Sequence, residues 1–293
     1  MDVTQRTESE QAVLWRGRSG SAWVEAQALL DHMFKPFEDL LVDAVRTGSG
    51  LRVLDVGCGT GSTTLAVARR LGPTGLCIGA DISDPMIAAA RARAKREDAT
   101  ASFLHADVQN HAFERASFDL IISRFGVMFF DNPVLAFANL LRAARDEAEL
   151  RCIAWRGAAE NPFMTTAERA AAPLLPNLPA RRPDAPGQFS FADRHRVSSL
   201  LEESGWAEID IRPIDVDCTL PEKELLGYLT RLGPVGLVLQ EADERTRTRV
   251  SEVVRSAFDP YVHGTEVRYT AACWMVSARA PSAAAASKEA ARV

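Results

Sequence analysis

Between residues 51 and 155, short apolar runs alternate with segments whose apolar residues recur at helical spacing. The apolar runs predict strands, and the segments between them predict helices. Strands that are apolar throughout are typical of a parallel sheet covered by helices on both faces. The pattern therefore predicts an α/β fold with a doubly wound, mostly parallel sheet. The predicted strands are 51–56, 76–81, 101–106, 118–123 and 149–155, and the predicted helices are 60–71, 84–96, a short piece near 111–115, and 133–145.

The segments on either side of this region have different sequence patterns. Residues 10–46 have helical spacing and predict an N-terminal helical cover. Prolines are frequent in residues 157–190, which excludes long regular elements there and indicates an insertion over the domain. Two further strands are predicted at 207–217 and 267–278, with helices at 221–232 and 237–258. We divide the chain into the cover at 1–47, a ligand-binding core at 48–156, a lid or substrate-binding insertion with the last sheet strands at 157–280, and a flexible tail at 281–293.

The composition is that of a folded domain with a mild negative charge. Hydrophobic residues make up 47% of the chain and charged residues 25%, which excludes disorder as a description of the whole. The net charge of −5 and the lack of a long apolar run indicate no nucleic-acid partner and no membrane partner. Five widely separated cysteines without a CxxC pair predict reduced thiols, and the polar N-terminus does not match a secretory signal. We therefore expect a cytoplasmic protein.

Three glycines at alternate positions follow the first predicted strand. Gly57, Gly59 and Gly61 come after Asp55, at the start of the predicted helix 60–71. Glycine lets the backbone turn tightly and approach a ligand, and the N–H groups that open the helix can face an anionic group. In the dinucleotide fingerprint GxGxxG, the third glycine would fall on Ser62. The spacing therefore counts against a nicotinamide dinucleotide.

This motif resembles the first motif of the class I S-adenosylmethionine-dependent methyltransferases, in which an acidic residue and three glycines alternate. Asp55, Gly57, Gly59 and Gly61 fill every position of it. The resemblance implies a Rossmann-like fold, S-adenosylmethionine as cofactor, and a last strand at 267–278 that returns antiparallel at the sheet edge. One departure is the segment 145–149, which replaces the family's usual Pro-Gly-Gly turn.

The resemblance also assigns residues near the ends of the next strands. The resemblance implies that Asp81 binds the ribose hydroxyls of the cofactor and that Ile82 lies against the adenine face. It also implies that Asp107 and Val108 bind the adenine edge, and that Ser123 and Arg124 hold the methionine end. Trp15 and Trp23 resemble the N-terminal segment that covers the cofactor in related enzymes, and core packing is the alternative for both.

The region after the fourth strand resembles the ubiquinone-type and general small-molecule branch of the family. That branch implies a small methyl acceptor, and the clustered aromatic residues favour a hydrophobic or aromatic one. The predicted acceptor residues are Phe125, Met128, Phe129, Trp155 and Phe163. The methyl group would move by in-line displacement, which requires alignment and exclusion of water more than acid–base groups.

Acid–base and metal chemistry have little support in the sequence. The five histidines form no HxH or HxxxH pair, so we predict no metal. His263 is the one candidate for a general base, and a solvated loop histidine is the alternative. Two other functions stay open, a nicotinamide-dependent oxidoreductase and a non-catalytic S-adenosylmethionine-binding protein. The oligomeric state also stays open, with a homodimer as one alternative.

Overall fold

The computed structural model describes residues 10–46, 50–182 and 185–282. The tail predicted at 281–293 lies outside the described residues except for its first two positions. The strands are β1 (Arg52–Val56), β2 (Leu76–Asp81), β3 (Ser102–His105), β4 (Phe118–Arg124), β5 (Ala144–Trp155), β6 (Ala207–Pro221), β7 (Val262–His263) and β8 (Glu266–Arg279). The helices are α1 (Glu10–Arg16), α2 (Arg18–Glu25), α3 (Gln27–Met33), α4 (Lys35–Asp43), α5 (Ser62–Leu71), α6 (Asp84–Arg96), α7 (Pro133–Ala143), α8 (Pro162–Ala171), α9 (Arg194–Glu203), α10 (Glu222–Arg231), α11 (Gly233–Leu239) and α12 (Glu244–Ala257).

A single mixed sheet organises the described residues. Its strand order is β3-β2-β1-β4-β5-β8-β6, with β7 paired to β8. The strands from β3 to β5 are parallel, and β8 is antiparallel to both β5 and β6. The predicted α/β class with a mostly parallel sheet is confirmed. The strand order reverses beside β1, where the loops after β1 and β4 lie side by side and open α/β sheets bind ligands.

The last strand differs from the prediction in its position. The segment predicted at 267–278 is antiparallel, as expected, but β8 lies between β5 and β6 and not at the sheet edge. The edge is β6, whose Pro213 and alternating charged residues limit pairing with another strand. The sheet therefore continues beyond the predicted core at 48–156 into the C-terminal part of the chain.

Two helix predictions are wrong, and a helix lies in a segment that was predicted to lack long regular elements. Residues near 111–115 form no helix, and the His111 ring packs on Phe113 within this irregular segment. The proline-rich segment contains α8, which begins at Pro162, a position where a helix needs no N–H donor. The predicted helix 237–258 is two helices, because Asp243 accepts a hydrogen bond from the Thr246 N–H (2.8 Å) and begins α12.

The N-terminal helices pack on other helices and on the sheet: α2 contacts α6, α3 contacts β6, and α4 contacts α5 and β4. Met33, Phe37 and Leu41 are fully buried against the core. The buried Glu38 of α4 accepts a hydrogen bond from the Ser62 hydroxyl at the first turn of α5. This contact fixes α5, and the glycine loop that precedes it, relative to the N-terminal helices. Among the described residues, no helix combines the length and the apolarity that a membrane span needs.

Candidate ligand-binding site

Two cavities meet at the carboxyl ends of the parallel strands. The first, which we call the strand-end cavity, is lined by the loops after β1, β2, β3 and β4 and by part of α1 and α2. The second, the apolar cavity, lies between α1–α3, the end of β5, α8 and α10–α12. Their volumes are about 120 and 320 Å³. The side chains shared by both linings are Gln11, Trp15, Trp23, Phe125 and Phe129.

The glycine loop is bound to the end of the neighbouring strand. The N–H groups of Gly57 and Cys58 both donate to the Ala80 carbonyl, at 2.8 and 3.1 Å. Gly57 has a φ of +68°, and a Cβ on it would lie 2.6 Å from the Gly126 Cα. The backbones after β1 and β4 therefore touch, which requires glycine at both positions. Gly57 and Gly59 line the strand-end cavity.

Asp81 connects this loop to the cavity. Its carboxylate accepts hydrogen bonds from the N–H groups of Gly59 and Ser83, both at 2.8 Å, and it lines the cavity. Burial raises the pKa of Asp81, while the hydrogen bonds from Ser83 and Gly59 oppose that shift. Ile82 lines the cavity beside it. The geometry leaves Asp81 in position to bind hydroxyl groups of a ligand.

Asp107 occupies the corresponding place after β3. Its carboxylate accepts from the Gln109 N–H (2.9 Å) and from the Asn110 side-chain amide (2.8 Å). Val108 lines the cavity next to it. Gln109, which the sequence reasoning missed, also lines the cavity and accepts from the Asn132 N–H at 2.6 Å. The far end of the cavity therefore has fixed polar groups beside apolar ones.

Three residues assigned to the cofactor lie outside the cavity lining. Asp55 is 1% exposed and accepts a hydrogen bond from the Thr64 hydroxyl at 2.6 Å. A Cβ on Gly61 would lie 2.7 Å from the Phe103 ring, so this glycine permits packing of α5. The buried Ser123 hydroxyl donates to the Val56 carbonyl at 2.8 Å. These groups shape the loops in this structure, and their contact with the cofactor stays a prediction.

Asp55 gives a prediction about stability and pH. Burial raises its pKa to about 6 from the ordinary 3.8, so the folded protein binds more protons than the unfolded chain between these values. The free energy of unfolding then falls by about 3 kcal/mol as the pH rises from 3.8 to about 6. We expect Asp55→Asn to raise the free energy of unfolding by about 1–3 kcal/mol at pH 7.5, and this gain to be about 1 kcal/mol smaller at pH 5. Urea unfolding at both pH values measures it, and a less stable variant at pH 7.5 would contradict it.

Arg124 and Gln11 are the polar groups near the glycine end of the strand-end cavity. The Arg124 guanidinium lies over the Phe34 ring and donates to the Phe34 carbonyl at 3.4 Å. Burial lowers its pKa, and the nearby carboxylates of Glu38 and Asp55 oppose that shift. Among the described residues, Arg124 has no carboxylate oxygen within 4 Å. The Gln11 side-chain oxygen is buried and has no hydrogen-bond partner among the described residues.

The apolar cavity collects all five residues predicted for the acceptor, namely Phe125, Met128, Phe129, Trp155 and Phe163. The rings of Phe125 and Trp155 are stacked, with centroids 4.7 Å apart and an interplanar angle of 10°. Phe125 has a φ of +67°, a strained conformation for a bulky residue that often marks a functional site. Tyr228 and the Glu168–Arg181 ion pair also line this cavity.

The structure separates His263 from both cavities. It is exposed in β7, which pairs with Glu266 of β8, and it lines neither cavity. The structure therefore gives His263 no place at either cavity, and a general-base role for it stays a prediction. No sequence signal distinguished Gln11, Gln109 or Gly126, because each needs a neighbour that is distant along the chain.

Comparison with known proteins covers part of the chain. A family model described as a methyltransferase domain matches residues 53–147. Nocamycin O-methyltransferase from Saccharothrix syringae is 38% identical over 113 residues, which are 37% of this chain and 40% of that protein. Aklanonic acid methyltransferase DauC from Streptomyces sp. (strain C5) is 36% identical over 107 residues, which are 36% of this chain and 49% of that protein. The match thus spans less than half the length of both curated relatives.

A solved structure extends the similarity to nearly the whole chain. Phosphoethanolamine N-methyltransferase 2 from Haemonchus contortus, in complex with S-adenosyl-L-methionine, has a TM-score of 0.58 at 16% identity. The superposition covers 94% of this chain and 61% of that chain. Identity at this level shows a shared fold alone.

Proposed function

We propose that the chain is a class I S-adenosylmethionine-dependent methyltransferase that transfers a methyl group to a small hydrophobic or aromatic acceptor. The methyltransferase model matched at residues 53–147 and the two relatives support this proposal. The observation that carries this proposal is the junction of two cavities, one lined by the glycine loop and Asp81 and the other lined by aromatic side chains. Such an arrangement brings one end of a bound cofactor to the mouth of an apolar acceptor site.

The residues of the strand-end cavity fit the family's cofactor. Gly57 and Gly59 leave the backbone open to a ligand, and Asp81 faces the cavity with a carboxylate that can accept from ribose hydroxyls. Ile82 and Val108 supply apolar contact for a purine, and Arg124 supplies a positive charge near the glycine loop. When bound, S-adenosylmethionine supplies a methyl group made electrophilic by the adjacent sulfonium.

The chain's own contribution at the junction is orientation and exclusion of water. The five shared side chains include no group that titrates near neutral pH. Within the described lining of the apolar cavity, Glu168 is bound by Arg181, and burial raises the pKa of Tyr228, so neither is poised as a base. We therefore propose that aromatic walls hold the acceptor in line with the methyl group.

The relatives support a small-molecule acceptor. Two are named as the methyltransferases of nocamycin and of aklanonic acid, and the aromatic lining suits a ligand of that size. Burial of an apolar acceptor there is favourable by about 25 cal/mol per Å² of apolar surface. The class of acceptor and the cytoplasmic location remain predictions.

Calorimetric titration with S-adenosylmethionine and with NAD, followed by methyl transfer to a panel of aromatic acceptors, tests the proposal. We expect binding of S-adenosylmethionine without binding of NAD, and release of S-adenosylhomocysteine with at least one acceptor class. Binding of NAD alone would indicate the oxidoreductase alternative. Cofactor binding without turnover across the panel would favour the non-catalytic alternative.

Filling the apolar cavity separates acceptor binding from cofactor binding. Ala167 of α8 lines this cavity and lies outside the strand-end lining. We expect Ala167→Trp to reduce turnover at least tenfold and to leave the affinity for S-adenosylhomocysteine within twofold, because the indole occupies acceptor space. The control is Ala159→Trp, an exposed residue of the same segment that lines neither cavity. Equal turnover of the two variants would contradict the proposal that the acceptor binds in the apolar cavity.

A further inference from the structure

Helix α10 places two hydrogen-bond donors on the wall of the apolar cavity. Tyr228 and Arg231 are three residues apart, so their side chains are neighbours on the helix surface, and both residues line this cavity. Leu225 and Leu229 of the same helix are buried in the core and fix its orientation. Neither donor lies in the described lining of the strand-end cavity. Both donors therefore belong to the surroundings of the acceptor and not to those of the cofactor.

The Tyr228 hydroxyl bonds to a weak acceptor. Among the described residues, its hydrogen bond goes to the Met164 Sδ at 3.7 Å, and a thioether is a poor acceptor. A phenol that is removed from water ordinarily finds a stronger partner, because the hydroxyl otherwise loses its hydration without compensation. Burial raises the pKa of Tyr228, so the hydroxyl keeps its proton and acts as a donor. An oxygen atom of a ligand would be a better acceptor than this sulfur.

The Arg231 side chain carries a charge that is not balanced within the cavity lining. It is exposed at the end of α10 and forms no ion pair with a described residue. The other charged side chains of the described lining are Glu168 and Arg181, which form an ion pair with each other. Arg181 also donates to the Gln188 side-chain oxygen at 3.2 Å. The lining therefore has an excess of one positive charge, which Arg231 supplies.

We propose that the acceptor is an aromatic molecule with a carboxylate, which accepts a hydrogen bond from the Tyr228 hydroxyl and pairs with the Arg231 guanidinium. A carboxylate combines a negative charge with strong acceptor oxygens, so it suits both donors. This inference rests on the proposed function. Because the two donors lie away from the strand-end cavity, the carboxylate is the end of the acceptor that is recognised, and the atom that takes the methyl group lies nearer the junction of the cavities. Tyr228 and Arg231 are thus specificity-determining residues.

Two probes of the same shape and different charge test this inference. 2-Naphthoate is an aromatic carboxylate, and 2-naphthamide is its neutral amide. With calorimetry on the full chain in the presence of S-adenosylhomocysteine, we expect the wild type to bind 2-naphthoate about fivefold or more tightly than 2-naphthamide, since the guanidinium is partly solvated. Arg231→Met should reduce this preference to within about twofold. Arg249→Met, at an exposed arginine of α12 outside both cavities, is the matched control and should keep the full preference.

Removal of the phenol hydroxyl gives a second readout. Tyr228→Phe keeps the ring and should weaken the binding of both probes about threefold or more, because each probe has an oxygen that accepts from the hydroxyl. Tyr261→Phe is the control, since this tyrosine packs on Phe163 and lines neither cavity. It should bind both probes as the wild type does.

The outcomes separate this inference from the proposed function. A wild type that binds S-adenosylhomocysteine but binds the two probes equally, or binds neither, would overturn the inference. An unchanged preference in Arg231→Met would assign that residue to the carbonyl end of α10, and unchanged affinities in Tyr228→Phe would exclude its hydroxyl from acceptor binding; either result also overturns the inference. A wild type that does not bind S-adenosylhomocysteine would overturn the proposed function itself.

Discussion

Replacement of Asp81 by asparagine is expected to weaken the binding of S-adenosylhomocysteine about 100-fold or more. The carboxylate already orders the loop through Gly59 and Ser83, and its exposed side faces the cavity where a ribose would lie. Two charge-assisted hydrogen bonds to a diol contribute about 1.5–3 kcal/mol each, which sets this magnitude. Calorimetric titration measures the loss.

Adenosine and 2′,3′-dideoxyadenosine separate the ribose contact from loop ordering. The wild type should prefer adenosine, and Asp81→Asn should bind both nucleosides equally, because only the contact to the diol distinguishes them. Asp84→Asn, an exposed carboxylate at the start of α6 outside the cavity lining, is the control. If Asp81→Asn kept the full preference for adenosine, the prediction that Asp81 binds the ribose hydroxyls would be contradicted.

Replacement of Gly57 by alanine is expected to lower the free energy of unfolding by about 2–5 kcal/mol and to weaken cofactor binding at least tenfold. The new Cβ would lie 2.6 Å from the Gly126 Cα, a backbone atom that cannot move aside without displacing the loop after β4. The strain of a positive φ adds about 1–2 kcal/mol to the cost of this overlap.

A substitution at Gly264 measures the strain of a positive φ without the steric overlap that a Cβ makes at Gly57. Its φ of +66° matches that of Gly57, and a Cβ there meets no atom within 4 Å. Gly264→Ala should therefore lose about 1–2 kcal/mol in urea unfolding and keep its cofactor affinity. Equal losses in both variants would show that conformational strain, and not the contact with Gly126, requires glycine at position 57.

The parallel half of the fold could be predicted from sequence because its strands are apolar on both faces. Residues 76–81 were predicted with the bounds that β2 has, and the acidic residue that ends that strand does face the cavity. β5 begins five residues earlier than predicted, at Ala144 and not at Glu149. Residues 145–147 are polar and partly or fully exposed, so the apolar pattern that marks the other strands is missing there.

The parts of the site that escaped prediction depend on neighbours distant in sequence. Gly126 lies in an ordinary apolar run and shows its role only when the loops after β1 and β4 are side by side. Gln11 stands among polar residues and resembles any exposed helix position. Asp55 fits the family motif, yet its burial under Thr64 separates it from the cavity that the motif serves.

The position of β8 has a consequence for how the chain reaches this structure. It follows every other strand in sequence, yet it lies between β5 and β6 and pairs with both. During synthesis, β6 therefore emerges before the strand with which it pairs. One edge of β5 also stays unpaired until β8 has been synthesised. Contacts between such distant segments slow folding, and the unpaired strand edges are exposed to aggregation in the interval. The parallel strands beside the glycine loop all lie within residues 52–155, whereas the antiparallel half of the sheet is complete only when β8 ends at Arg279.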